Sequence, residues 1–401
     1  MSTTAAPTTQ TFGHAMKVHW PLDPALTYLN HGTVGVVPRR VLAAAQAIRD
    51  QIERNPARFL LRELADTGEV TMRMPPRMRT AAAAIAEFVH CDAADLAFVD
   101  NATTGCNAVL RSFPFAAGDE ILVTDHGYGA VTYTARHVAE QRGATVKIVE
   151  LPFPETTPAK LVQALEGALT PRTRLALFDH VCSGSSLVLP IAEIAARCRA
   201  RGVASLVDGA HAPGMLALDL PAYDCDFYTA NLHKWAMAPR ACGILWAAPE
   251  RQAKLHPTVI SWGYGRGMSA EFDLLGTRDP AAWLAAPEGI AFMRDLGLDA
   301  MRAYNHALVW DAATRLAAHW QVAIPAPEEM YGSMVTIPLP ERFGDTQARA
   351  EGLKTALLYE EGIEGQIHAF RGRIWLRLAA QVYNEAADYE RLRDALDRRA
   401  R

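Results

Sequence analysis

One lysine of this chain lies where a positive charge is costly. Lys234 belongs to the segment Ala230–Trp235, whose other residues are largely apolar or aromatic, and it is one of only six lysines among 401 residues. Removal from water lowers the pKa of a lysine, and its neutral amine can then act as a nucleophile. The surroundings of Lys234 therefore indicate Schiff-base chemistry with a carbonyl compound.

An acidic residue at the end of an apolar run complements this lysine. Asp208 lies in the segment Val207-Asp208-Gly209-Ala210-His211, ahead of Lys234 in the chain. Pyridoxal phosphate forms a Schiff base with lysine and is tuned by a carboxylate at its ring nitrogen. The lysine and the aspartate together favour an enzyme that uses this cofactor.

The elements that must position these residues alternate regularly. Short apolar runs are separated by helical patterns, which is typical of an α/β fold with a mostly parallel sheet covered on both faces. The predicted strands lie at 96–99, 121–124, 145–149, 174–178, 204–207, 226–229 and 242–247. The predicted helices lie at 39–54, 77–90, 104–112, 128–142, 158–169 and 190–201. The pattern predicts a large domain built on a seven-stranded sheet.

A second, smaller domain is expected because the chain exceeds one ordinary hydrophobic core. The alternation breaks near 248–285, where Gly, Pro and Trp are frequent. A long helix at about 287–318 and strands near 333–337 and 373–378 predict an α+β unit. We expect a flexible tail over 1–20, a large domain over 21–285 with an N-terminal arm at 21–40, and a small domain over 286–401.

Polar residues directly follow several of the apolar runs. Ligands of open parallel sheets bind at the carboxyl ends of the strands, so these residues are expected to meet at one edge. Thr103 and Thr104 begin a helix after the first run, where free N–H groups suit a phosphate, although an ordinary helix cap has the same pattern. Tyr128 follows the second run, and Asp179-His180 follow a later one. Their common position predicts one shared site.

Composition excludes several other classes of protein. The net charge is −4 and no basic run occurs, which argues against nucleic-acid partners and acidic membrane surfaces. No apolar run approaches the ~20 residues of a membrane span. The six cysteines are scattered, as expected for reduced thiols in a cytoplasmic protein. No P-loop or dinucleotide-binding glycine motif is present, and no metal is expected.

These motifs, taken together, resemble a known family. The chain is similar to fold-type I pyridoxal-phosphate enzymes of the class V aminotransferase group, and especially to isopenicillin N epimerase-like proteins. The likeness runs from about Leu29 to Asn384. It rests on Leu29-Asn30-His31-Gly32, Asn101-Ala102-Thr103-Thr104, residues 125–130, Asp179-His180-Val181, Val207 to Gly214, Asn231 to Trp235, Gly276-Thr277-Arg278-Asp279, Arg377 and Tyr383-Asn384.

The resemblance implies a role for each matching residue. Lys234 would bind the cofactor and move the Cα proton, and Asp208 would pair with the ring nitrogen. The other cofactor contacts would come from His211 at the phenolic oxygen, Tyr128 stacked on the ring, Thr103, Thr104 and His233 at the phosphate, and Thr277 at the phosphate of a partner subunit. Arg377 would bind the substrate α-carboxylate, and Asn30 would help to place the substrate. A homodimer with sites at the subunit interface is implied.

The reaction itself stays open at this stage. The family's substrate imine, the external aldimine, gives a carbanion that can be reprotonated, can expel a sulfur group from Cβ, or can be protonated elsewhere for transamination. We rank an epimerase-like reaction first, a β-eliminating C–S lyase second and an aminotransferase third. Family members that desulfurate cysteine carry a nucleophilic cysteine in the C-terminal domain, whereas no cysteine follows Cys242 here.

Overall fold

The computed structural model describes residues 11–66, 68 and 72–400. Its strands are β1 (Thr27–Tyr28), β2 (Leu96–Val99), β3 (Glu120–Thr124), β4 (Thr145–Val149), β5 (Thr173–Asp179), β6 (Ala204–Asp208), β7 (Phe227–Asn231), β8 (Gly243–Ala247), β9 (Met334–Pro338), β10 (Ile363–Glu364), β11 (Gln366–Phe370) and β12 (Arg373–Ala379).

The α-helices are α1 (His31–Val34), α2 (Arg39–Arg54), α3 (Pro56–Arg62), α4 (Arg77–Phe88), α5 (Ala102–Ser112), α6 (Gly129–Arg142), α7 (Pro158–Ala168), α8 (Ile191–Ala200), α9 (Met268–Asp273), α10 (Ala281–Leu284), α11 (Ala286–Leu296), α12 (Leu298–Trp320), α13 (Gln347–Glu361) and α14 (Ala386–Arg399). Short 3-10 helices lie at His14–His19, Ala93–Asp95, Pro221–Tyr223, Pro249–Lys254, Glu328–Met330 and Glu341–Phe343.

A seven-stranded sheet forms the centre of the molecule, in the order β2-β8-β7-β6-β5-β3-β4. The neighbouring pairs from β7 through β6, β5 and β3 to β4 are parallel. Strand β8 pairs antiparallel with β7, and β2 pairs antiparallel with β8. Both faces are buried, because Leu175 and Leu177 of β5 enter one hydrophobic cluster while Ala176 and Phe178 enter the other. The predicted α/β class and its mostly parallel sheet are confirmed.

Parallel pairing brings the polar strand ends together. Asp179 at the end of β5 is the register partner of Asp208 at the end of β6, and β6 pairs in turn with β7, which ends at Asn231. Helix α5 lies against this edge so closely that a Cβ on Gly105 would lie 2.0 Å from Thr229 Oγ1. Glycine at 105 therefore sets how near the start of α5 comes to the strand ends.

A three-stranded antiparallel sheet, in the order β11-β12-β9, forms the centre of the C-terminal part. Helix α13 packs on β11, and α12 packs on β9. The N-terminal arm joins this part, since β1 pairs in parallel with β10. The long helix expected at 287–318 is in fact two helices, because Gly297 adopts φ +79° between α11 and α12. The division of the chain at 285/286 stays a prediction.

The expected flexible tail needs a correction. Residues 1–10 lie outside the described residues, but His14–His19 form a 3-10 helix and Trp20 is only 1% exposed. The Trp20 indole donates a hydrogen bond to the carbonyl of Val36 (3.2 Å) and packs edge-on against Tyr383. Aromatic packing onto distant parts of the chain orders this segment, and local composition gave no sign of it.

Among the described residues, no helix combines the length and the apolar character that crossing a membrane requires.

The close approach of α5 to β7 predicts opposite effects of two glycine substitutions. Gly105→Ala should destabilise the protein by about 1–3 kcal/mol, because the added methyl group overpacks the contact with Thr229. Gly352→Ala, in α13, should stabilise it by about 0.5–1 kcal/mol, because nothing lies within 4 Å and alanine favours the helix. Urea unfolding midpoints of the two variants would check this, and a shift in the same direction would contradict the packing argument.

Candidate active site

A cavity of about 480 Å³ opens at the carboxyl ends of the parallel strands. Seven of the ten predicted site residues line it together: Thr103, Thr104, Tyr128, Asp208, His211, His233 and Lys234. They come from four separate segments of the chain, so the sheet edge and not local sequence brings them together. Their individual roles stay predictions, and their proximity meets the first requirement for a shared site.

Lys234 lies just beyond the end of β7, in a turn held by neighbouring backbone. Its carbonyl accepts a hydrogen bond from His31 Nε2 (3.1 Å), and a Cβ on Gly35 would lie 2.8 Å from the same oxygen. Burial lowers the pKa of Lys234 from 10.5 to about 8, although the charge of Asp208 opposes this shift. The amine is therefore substantially neutral at mildly alkaline pH and available as a nucleophile or a base.

His211 contacts the amine of Lys234 through Nε2, at 3.2 Å. Its Nδ1 accepts the Trp235 indole N–H at 3.4 Å, and an indole can only donate. Burial, together with the charges of Lys234 and Arg377, lowers the pKa of His211 well below 6.5, so the ring is neutral. The proton of the neutral ring therefore lies on Nε2, on the side of Lys234, where it can be donated to an oxygen or to the neutral amine.

Two carboxyl groups lie side by side below the lysine. Burial raises the pKa of Asp208, and the backbone N–H of Ala210, which donates to its Oδ1 (3.0 Å), works against that rise. Burial and the adjacent Asp208 raise the pKa of Asp179, whose Oδ1 has no hydrogen-bond partner among the described residues. Asp208, with its N–H donor and nearby Lys234, is the better placed of the two to stay ionised and to pair with a cation.

The N-terminus of α5 forms the opposite wall. Asn101 caps the helix by accepting the N–H of Thr104 (2.9 Å), and Asn231 accepts the N–H of Ala102 (2.8 Å). No described acceptor takes the N–H of Thr103. A free N–H at the positive end of a helix, flanked by two hydroxyl groups, is well suited to an anion such as phosphate.

His233 completes this anion-binding wall. Its Nδ1 contacts the carbonyl of Cys242 at 2.8 Å, which assigns the ring proton to that nitrogen and leaves Nε2 as an acceptor. Burial lowers its pKa to about 4, so the ring is neutral at physiological pH. A neutral His233 would contribute to phosphate binding by accepting from a protonated phosphate oxygen or through water.

Arg377 lies on β12 behind the cavity and is only 3% exposed. It donates to the carbonyl of Ser183 (2.9 Å), to Asn30 Oδ1 (2.9 Å) and to Thr33 Oγ1 (2.6 Å). Burial lowers its pKa to about 10, which still leaves it charged at neutral pH. Among the residues the structure describes, no carboxylate forms an ion pair with Arg377, and its Nε has no partner. A buried guanidinium without a counter-ion is a strong candidate to bind the carboxylate of a ligand.

Asn30 and Thr277, the remaining predicted residues, lie in different surroundings. Asn30 joins Arg377 to Glu364, since its Nδ2 donates to Glu364 Oε1 (2.8 Å). Thr277 is exposed and does not line the cavity of its own chain. The neighbouring Arg278 fixes the Thr277 loop by pairing with Asp100 (3.1 Å) and stacking on Trp283. Asn30 is thus part of the Arg377 site, whereas the role of Thr277 stays a prediction.

Sequence reasoning missed three residues of the site. Thr33 and Ser183 line the cavity and also contact Arg377, and Asn231 orders the start of α5. Asn231 could have been identified, because it follows an apolar run directly. Thr33 lies in the single turn of helix α1 and Ser183 in a connecting segment, neither has a local sequence pattern, and only the fold shows their positions.

The comparisons with known proteins agree with this geometry. The chain belongs to the class-V aminotransferase family, whose model matches residues 27–361. The isopenicillin N epimerase of Streptomyces clavuligerus is 36% identical over 395 residues, covering 94% of this chain and 95% of that protein. A putative L-cysteine desulfhydrase of Oryza sativa subsp. japonica is 32% identical over 412 residues, covering 94% and 83%.

Solved structures show the same fold. The cystine C–S lyase C-DES, in complex with its product cysteine persulfide, superimposes with a TM-score of 0.76 at 22% identity, covering 92% of this chain and 97% of that chain. At this identity the likeness concerns the architecture alone.

The lowered pKa of Lys234 predicts how its reactivity depends on pH. In the cofactor-free protein, acetylation of Lys234 should be half-maximal near pH 8, because the reactive amine is the unprotonated form. Asp208→Asn should move the midpoint lower, since the charge of Asp208 favours the protonated lysine. Peptide mass spectrometry across pH 6–11, with free Nα-acetyl-lysine as the control, would measure both midpoints. A midpoint above pH 10 in the unaltered protein would contradict the assignment.

Proposed function

We propose that this chain is a pyridoxal-phosphate enzyme that acts at the Cα of an amino acid, with epimerisation as the favoured reaction. One observation carries the proposal. A partly buried lysine with a lowered pKa lies in one cavity with a carboxyl pair and a helix N-terminus, and an unpaired arginine lies directly behind it. Each of these groups matches a different part of the cofactor–substrate pair, and no two of them neutralise each other in an ion pair.

The donor and acceptor groups of the cavity fit the cofactor. Asp208 would hold the ring nitrogen in its protonated form, and the Nε2 proton of His211 would reach the phenolic oxygen. Thr103, Thr104 and the start of α5, with His233, would hold the phosphate. The exposed ring of Tyr128, at the rim of the cavity, would stack on the cofactor ring. When bound, the cofactor would withdraw electrons from Cα and so acidify the Cα–H.

Arg377 and Lys234 would act on the substrate itself. Arg377 would orient the α-carboxylate, and the acceptors that hold it in place, Asn30, Thr33 and the Ser183 carbonyl, are neutral and so leave its charge available. Lys234, once released from the cofactor, would take the Cα proton, a task that suits an amine with a pKa near the working pH. Orientation and proton removal are thus provided by separate residues.

The relatives support two outcomes after proton removal. Return of a proton from the opposite face would give epimerisation, and the likeness to an isopenicillin N epimerase at 36% identity favours this outcome. Loss of a sulfur group from Cβ would give C–S cleavage, which the 32% identical relative supports. Sulfur transfer through a cysteine of this chain is disfavoured, because burial raises the pKa of all six thiols and so suppresses the thiolate.

We further propose that the enzyme is a cytoplasmic homodimer. All six cysteines are free, which suits a reducing compartment. Val259, Ile260, Trp262 and Tyr264 form an exposed apolar segment, each at least 51% exposed, and they do not line the cavity that holds Lys234. Burial of such a segment against a second copy would be favourable. It would also allow Thr277, on a nearby fixed loop, to reach the phosphate of the partner subunit.

The proposed role of Lys234 predicts the behaviour of two lysine variants. Lys234→Ala should lose the visible absorbance band of lysine-bound cofactor and lower turnover by about a thousandfold or more, because nucleophile and base are removed together. Lys254→Ala, at an exposed lysine, should keep both properties. Retained turnover in Lys234→Ala would refute the role.

The unaltered enzyme can be used to distinguish epimerisation from C–S cleavage. Amino acids and cysteine conjugates incubated in deuterated water would be followed by proton NMR and chiral chromatography. Exchange at Cα with loss of configuration supports epimerisation, whereas pyruvate and ammonia would show C–S lyase activity instead. No exchange with any amino acid would contradict the proposed function.

The homodimer predicts effects at a distance from the cavity. Sedimentation equilibrium should give twice the 43.8 kDa of one chain. Trp262→Glu should dissociate the dimer and weaken cofactor binding, because it puts a charge where the proposed interface would bury the Trp262 ring. Tyr359→Glu, on the exposed face of α13, is the control and should do neither. Thr277→Ala should leave the mass unchanged and weaken cofactor binding by roughly tenfold, the value of one charge-assisted hydrogen bond. A monomer that binds cofactor normally would contradict the proposal.

A further inference from the structure

A second cavity, of about 220 Å³, adjoins the one that holds Lys234. Tyr128 and Ser183 line both cavities, so they form the boundary between them. The second cavity lies between the loop after β3, residues 183–185, and the strands β9, β11 and β12 of the C-terminal sheet. The functions proposed above for individual residues do not use it.

Aromatic rings form much of the wall of this cavity. Phe153 and Phe370 both pack edge-on against His126, each with its ring centre 5.0 Å from that of the imidazole. Trp375 lies 4.9 Å from Phe153. Ring edges and faces held by one another in this way present a rigid apolar surface that is suited to another ring.

The polar groups of the wall are uncharged or already paired. Both oxygens of Asp125 are used, one by the N–H of Leu151 and the other by Arg371. Burial lowers the pKa of His126 and of His368 to about 4, which leaves both rings neutral. A charged side chain would find no free opposite charge among these lining residues, so its burial there would be costly.

Two hydrogen-bonding groups in the wall are nevertheless unused. His126 Nδ1 contacts Ser185 Oγ at 2.7 Å, but its Nε2 is buried without a partner among the described residues. The imidazole of His368, which is half-buried next to Gly184, also has no hydrogen bond from the described residues. A buried polar atom without a partner has a free-energy cost, which a ligand group could remove.

Ser183 connects this cavity to the proposed carboxylate site. Its carbonyl accepts from Arg377 (2.9 Å), and residues 184 and 185 continue along the wall of the second cavity. An amino acid whose carboxylate is held by Arg377 therefore has the second cavity within a few bonds of its Cα. The Lys234 cavity, on the other side of Tyr128, remains for the cofactor.

We propose that the second cavity binds the side chain of the substrate and selects a bulky, uncharged side chain that contains a ring. This inference rests on the proposed function and specifies its substrate class. His126 and His368 determine the specificity by hydrogen bonding to a neutral polar group on that side chain, and the aromatic wall provides the apolar contact.

Binding of unreactive carboxylates to the cofactor-loaded enzyme tests the cavity without catalysis. Calorimetric titration would compare 3-phenylpropanoate, propanoate and pentanedioate, which lack an amino group. We expect 3-phenylpropanoate to bind at least tenfold more tightly than propanoate, and pentanedioate to show no such gain. Equal affinities for 3-phenylpropanoate and propanoate, or a preference for pentanedioate, would overturn the proposal.

Variants that fill the second cavity test whether the substrate side chain binds there. His368→Trp should reduce the preference for 3-phenylpropanoate to less than threefold, because the larger ring occupies the space. His137→Trp is the matched control, since His137 is exposed on α6 and lines neither cavity, and it should keep the full preference. If circular dichroism shows that His368→Trp does not fold, Gly184→Ala serves instead, because its methyl group would lie 3.3 Å from His368 Nε2. If a folded variant with a filled cavity kept the full preference for 3-phenylpropanoate, the phenyl ring would bind elsewhere and the proposed side-chain site would be refuted.

Exchange measurements separate this inference from the function on which it rests. Cα–H exchange of phenylalanine should exceed that of alanine in kcat/KM by at least tenfold. If alanine exchanges and the two carboxylates bind equally, the side-chain site is wrong and the proposed function stands. If no amino acid exchanges while 3-phenylpropanoate keeps its preference, the proposed function is wrong and the binding site stands.

Discussion

Ionisable groups that are largely removed from water and have no ion-pair partner are the constraint on which the rest of this structure depends. Lys234, Asp179 and Asp208 lie at one edge of the large sheet, Arg377 lies behind them on β12, and among the described residues none of the four forms an ion pair. Each is held instead by neutral groups, such as the Ala210 N–H and the Ser183 carbonyl. Such an arrangement costs folding free energy, and it is retained only where a bound molecule restores the balance of charge.

The scaffold around these groups is correspondingly inflexible. The parallel register fixes Asp179 beside Asp208, and the side chain of Thr229 leaves no room for a Cβ at position 105. Gly35, with φ +67°, lets the N-terminal arm lie against the backbone of His233 and Lys234. The charged groups are therefore positioned by backbone packing, which ligand binding perturbs less than it would a set of flexible side chains.

Local sequence patterns predicted most of the large sheet and many residues of the site. All seven predicted strands are present with ends within two residues, because strands buried on both faces read as continuous apolar runs. The polar site residues that follow these strands could be predicted for the same reason, because a clear apolar run also marks where each strand ends. The break at Gly297 was missed since the apolar pattern continues through it, and β11 was missed because its burial is only partial. Contacts such as Arg377 with Thr33 join residues far apart in the chain and have no local signal.

The pairing of β1 with β10 has a consequence for biosynthesis. Asn30, near the beginning of the chain, and Arg377, near its end, are hydrogen-bonded to each other, and Asn30 is also bonded to Glu364. Contacts of such sequence separation form late, because a long loop must close first. While the ribosome is still translating the C-terminal sheet, the strand ends of the large sheet can already be in place. The guanidinium of Arg377, on β12, is not yet in place at that point. A nascent chain could thus acquire its phosphate-binding wall before it can recognise a carboxylate, and recognition would begin only after β12 has been made and has folded.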